Sequence, residues 1–74
     1  MEYEEAHLFK LVQERAEKRD VIRVVPLGNQ IGLHPMTTRE FARKWKNSGL
    51  VDFAEPNRIW LTKNGKEFNP YGSL

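Results

Sequence analysis

The chain has no cysteine, and its two histidines, His7 and His34, stand far apart. That excludes a disulfide framework and leaves no four-ligand zinc site of the usual Cys/His kind. Long apolar runs are missing too. Stretches such as Val24-Val25 and Ile59-Trp60-Leu61 fall far short of the roughly 18 apolar residues of a membrane-spanning helix. The amino terminus is acidic where a signal peptide would be basic, so a soluble, cytoplasmic protein is expected. The motifs of catalysis are also absent: no nucleophile elbow, no His-Glu metal pattern, and a Gly28-Asn29-Gln30-Ile31-Gly32 stretch without the lysine or length of a phosphate loop. An enzyme, a cofactor, a bound metal and a small-molecule substrate are therefore not expected.

What is present is a small core and an uneven distribution of charge. At 74 residues the chain is near the limit of roughly 70–80 below which one core supplies only a few kcal/mol. Most large apolar side chains must then be assigned to packing. Residues 1–20 hold four bases against six acids, whereas residues 36–66 hold seven bases against three acids. A net charge of only +2 thus conceals an internal polarity, and clustered Lys and Arg supply most of the sequence-independent affinity for nucleic acid.

Local patterns divide the chain into short elements. Leu8, Leu11, Val12 and Ala16, widened by Phe9, recur at helical spacing and predict a helix over 4–19. The β-branched run 20–25 predicts a brief strand. Pro26 then suits the first position of a short helix over 26–31, which its two glycines weaken by propensity. A turn at 32–35 leads to a basic amphipathic helix from 36 or 37 to 48. Thr37 is the expected cap, with Glu40 completing a capping box. Thr38, Phe41, Ala42 and Trp45 share its apolar face, and Gly49 ends it. Residues 50–54 and 58–62 read as two strands around the turn Glu55-Pro56-Asn57. Residues 63–68 form a final turn or short helix, and 69–74 a polar tail outside a domain of residues 1–68.

Two stretches carry a resemblance. Trp45-Lys46-Asn47-Ser48-Gly49-Leu50-Val51 resembles the apolar-x-x-x-Gly-Leu-Val ending of the recognition helix in winged helix-turn-helix domains, and Leu61-Thr62-x-x-Gly65 resembles the Leu-Thr-x-x-Gly that follows their second wing strand. The resemblance covers roughly residues 4–68 and implies an α+β fold of three helices with a small antiparallel sheet and a short wing hairpin. It also implies a small DNA-binding protein, a transcriptional regulator or a phage or plasmid accessory factor, with helix 37–48 in the major groove of duplex DNA. Arg39 and Arg43, four apart on one helix face, are then the candidates for guanine edges. Thr37 is placed to bond a phosphate or touch a thymine methyl, and Glu40 to accept from cytosine N4 or to orient an arginine. Lys46, Arg58 and Lys63 are cast as phosphate contacts. Paired half-sites imply a homodimer, joined through the first helix or the 68–74 tail. Departures from the pattern are the glycine-bearing second helix and a wing with only Arg58 beside its turn.

Two rival readings follow from other residues. Winged helices also serve as protein-docking modules, for which the acidic first helix and the aromatics Tyr3, Trp60 and Tyr71 are the candidate surface. Binding of RNA or single strands would use Trp60 or Tyr71 as a stacking platform.

Overall fold

The computed structural model describes residues 1–72 apart from Pro56. Pro56 of the expected wing turn, and Ser73 and Leu74 of the expected tail, lie outside the described residues. In chain order the elements are α1 (Tyr3–Ala16), β1 (Ile22–Arg23), α2 (Val24–Gln30), α3 (Pro35–Asn47), β2 (Val51–Glu55), β3 (Arg58–Leu61) and α4 (Lys63–Glu67). The fold is a small α+β unit with four helices and one three-stranded antiparallel sheet among the described residues, in the order β1-β3-β2. Three helices were expected. Residues 63–67 add a fourth because Thr62 caps it, its Oγ1 accepting from the Gly65 N–H at 3.1 Å.

Several boundaries differ from the sequence expectation, each for a physical reason. α1 stops at Ala16 rather than 19, since residues 17–21 are all exposed and no packing supports another turn. The strand expected over 20–25 shrinks to Ile22–Arg23, paired with Ile59 and Arg58. Val24 and Val25 instead open α2, where Val24 is buried in the core. Burial overrides their β-propensity. Pro26 is then the third helical residue rather than the first, still within the turn whose N–H groups lack intrahelical partners.

α3 begins one or two residues early, with Pro35 in its first turn. His34 is its cap, the Nδ1 accepting from the Met36 N–H at 3.1 Å. The capping box expected of Thr37 and Glu40 therefore does not form; Thr37 lies inside the first turn. The far end follows expectation. Gly49 takes φ +78°, its N–H bonds to Lys46 O, and the Leu50 N–H reaches back to Trp45 O at 2.9 Å. This six-to-one closure needs a left-handed residue at that point, and glycine adopts it without Cβ strain.

The core is built from all the layers. Leu8, Phe9 and Val12 of α1 meet Val24 and Leu27 of α2, Ala42 and Trp45 of α3, and Ile22, Val51, Ile59 and Leu61 of the sheet. The Phe9 ring stands edge-on to Trp45, with centroids 4.9 Å apart, and to Phe68 at 5.5 Å. Gly28 does more than weaken α2. A Cβ there would fall 2.0 Å from Thr38 Oγ1, so its bareness permits the close crossing of α2 and α3. Gly65 plays the same part under the hairpin, where a Cβ would fall 1.9 Å from Leu50 O.

One acid sits inside this core. Glu5, 1% exposed, accepts from Trp45 Nε1 at 2.8 Å and from Lys44 Nζ at 3.1 Å. In the sequence it is one of the six acids of residues 1–20. Glu5→Ala should lower unfolding free energy by about 3 kcal/mol, because the buried indole N–H loses its partner and a void is left. Lys44→Ala should cost less than about 1 kcal/mol, since that ammonium lies largely in solvent. Urea titrations followed by tryptophan fluorescence measure both.

Candidate nucleic-acid interface

α3 is two-faced. Thr38, Ala42 and Trp45 are buried and Phe41 is half-buried, so the opposite side, with Met36, Arg39, Glu40, Arg43, Lys46 and Asn47, faces solvent. Met36 is 61% exposed, leaving an apolar side chain at the open first turn. Arg39 and Arg43 rise about 6 Å apart along the axis, close to two base-pair steps. No carboxylate among the described residues forms an ion pair with either. Glu40 lies between them on the same side, exposed and likewise without an ion pair among the described residues.

Arg39 is held in place. Its Nε–H donates to Asn57 Oδ1 at 3.0 Å, while the Asn57 carbonyl accepts from the Val24 N–H at 3.3 Å. The hairpin turn is thereby tied to both α2 and α3. A guanidinium has five N–H donors, and this bond uses one; among the described residues the two terminal nitrogens have no hydrogen-bond partner. Asn57 was read only as a turn residue. Its role depends on a contact across 18 positions, for which the sequence carries no signal.

The other expected residues are divided between different places. Thr37 is half-buried in the first turn of α3, and Arg58 is half-buried at the start of β3, in register with exposed Arg23 of β1. Arg23 was not foreseen as part of a basic surface. Lys63 stands at the opposite end of β3, roughly 10 Å or more from the turn at about 3.3 Å per residue. It lines a cleft with Val21, Trp60 and Lys66, and so does not join the Arg39 surface. Among the described residues no group of three or more His, Asp or Glu could hold a metal ion, and no helix is long and apolar enough to cross a membrane.

Lys46 is engaged within the protein. Its Nζ lies 2.8 Å from Asp52 Oδ1 and 5.6 Å from the centre of the Phe53 ring. The Lys46 hydrogen bond, helped by the Phe53 N–H on the same oxygen, holds the Asp52 carboxyl below its ordinary value of 3.8. Because the folded value is the lower one, the pair's contribution is present at neutral pH and disappears as the pH falls through it. In an NMR titration the Asp52 carboxyl should show a midpoint below 3.8, and Lys46→Met should move that midpoint upward without erasing the part due to the Phe53 N–H.

Comparison with protein-family models, with curated proteins and with solved structures finds no match for this chain, so its functional reading rests on these side chains.

Proposed function

We propose that the protein is a small winged helix-turn-helix regulator that binds duplex DNA, with α3 in the major groove. The element order α1, β1, α2, α3, β2, β3 and the sheet order β1-β3-β2 fit that domain, with α2 and α3 as the helix-turn-helix and β2–β3 as a short wing. The observation that carries the reading is the state of Arg39 and Arg43. Both project from a helix whose other face is packed away, and neither has a carboxylate partner among the described residues. Guanidinium groups suit the O6/N7 pair of guanine. The Asn57 bond holds Arg39 before binding, which reduces the ordering cost on association.

The N-terminal half of α3 is assigned to base edges, including Thr37 and Glu40, and Arg58 near the wing turn to phosphate. Lys46 reaches phosphate only if it leaves Asp52, and Lys63 only on the far side of the hairpin. A single recognition helix discriminates weakly, so a homodimer on paired half-sites is part of the proposal.

A second reading has its own support. Trp60 and Val21, each 40% exposed, line one cleft with Lys63 and Lys66, which is the surface a protein-docking module would use.

Fluorescence anisotropy with random duplex at several salt concentrations separates the two. Duplex binding should weaken steeply as salt rises. Arg39→Ala with Arg43→Ala should cost roughly tenfold or more in affinity while the thermal midpoint stays within a few degrees of wild type. A folded wild type that leaves duplex unbound at low salt would favour docking through Trp60.

A further inference from the structure

Four arginines converge on a groove that the linear charge pattern conceals. Arg15 near the end of α1, Arg19 in the following turn, Arg23 of β1 and Arg58 of β3 line an open cavity of about 440 Å³. Val21, Ile22, Pro26, Leu27 and Gln30 complete its wall, and no Asp or Glu is among the described lining residues. Glu14 and Glu17 line an adjoining cleft, on the other side of Arg15. Within a segment that is acidic overall, Arg15 and Arg19 thus line a groove without acids, Arg15 standing at its border with the cleft of Glu14 and Glu17.

We propose that this groove holds the phosphodiester backbone of the DNA that flanks the stretch read by α3. The proposal deepens the duplex-binding reading and rests on it. The chemistry is that of phosphate: the planar guanidinium fork takes two oxygens of one group, and the exposed forks of Arg15, Arg19 and Arg23 in one groove suit successive phosphates. Continuity supplies the second argument. Arg39 of α3 is bonded to Asn57, the next residue is Arg58, and Arg58 is in register with Arg23. The basic surface therefore passes from α3 across the hairpin turn into the groove. The longest extent of the molecule, 27 Å, spans about eight base-pair steps, so a duplex much shorter than that cannot reach across the whole of this surface.

The test uses the full chain with hairpin stems of about 5 and about 20 base pairs, the Arg15→Gln/Arg19→Gln double variant, and its charge-retaining counterpart Arg15→Lys/Arg19→Lys. On the long duplex the Gln variant should lower the salt slope by about two, so that a roughly fourfold rise in salt costs the wild type roughly tenfold more affinity than it costs the variant. On the short duplex the variant and the wild type should agree, and the Lys variant should restore the slope on the long one. Two chemically exposed substitutions should leave the circular dichroism spectrum unchanged. Equal slopes for wild type and Gln variant on the long duplex, with Arg39→Ala/Arg43→Ala still impaired, would overturn the groove and spare the α3 reading. No binding of either duplex by wild type would overturn both. Amide shifts at Arg15, Arg19 and Arg23 with inorganic triphosphate but not with the long duplex would also overturn it, assigning the groove to a free polyphosphate.

Discussion

The orientation of α3 depends on a buried carboxylate. Glu5 lies on α1 and its two oxygens receive Trp45 Nε1 and Lys44 Nζ of α3. A helix packed only through Ala42, Trp45 and Phe41 could roll by a fraction of a turn at modest cost, because apolar contact is not directional. The indole N–H removes that freedom: a buried donor left without an acceptor costs about 1–3 kcal/mol. Since successive residues are about 100° apart around the axis, fixing Trp45 inward also fixes the direction of Arg39 and Arg43. A contact in the interior thus sets the surface on the far side of the same helix.

The turns reinforce this constraint from each end of α3. At its start the close crossing of Gly28 against Thr38 sets the approach of α2. At its end Thr62 Oγ1 donates to Gly49 O at 2.7 Å, binding the base of the hairpin to the helix terminus. Gln13 of α1 then donates to Gly65 O at 3.0 Å and Phe68 O at 2.6 Å, so α4 is secured to the first helix. In a chain of 74 residues these polar links join elements that share a small apolar core.

What could be read from the sequence was the part governed by local rules. The apolar face of α3, its glycine terminus, the two hairpin strands and the buried Leu8-Phe9-Val12 stripe all follow from periodicity and turn chemistry over a few residues. What escaped notice depends on partners far along the chain. Val24 and Val25 look like strand residues until the core claims Val24 for a helix. Thr37 looks like a cap until His34 takes that place beside Pro35. Glu5 shares the helical spacing of Leu8, Phe9 and Val12, but an acid on that stripe reads as first-turn charge until its partners Trp45 and Lys44, about 40 positions on, are known. Summing charge over residues 1–20 hid Arg15 and Arg19, because a block sum ignores which way each side chain turns.

The bases of α3 are treated differently along its length, and this difference gives the surface its polarity. Lys44 is satisfied by Glu5 and Lys46 by Asp52. Both lie in the last turn, where the carbonyl end of the helix dipole already favours a cation. Arg39 lies in the N-terminal half of the helix, where the dipole gives a cation no such support, and Arg43 about one turn before its end; no acid among the described residues pairs with either. Of the two, Arg39 adjoins the hairpin turn through Asn57. The fold thus satisfies two of the four bases of α3 with its own acids and leaves the other two, at 39 and 43, without a carboxylate partner among the described residues.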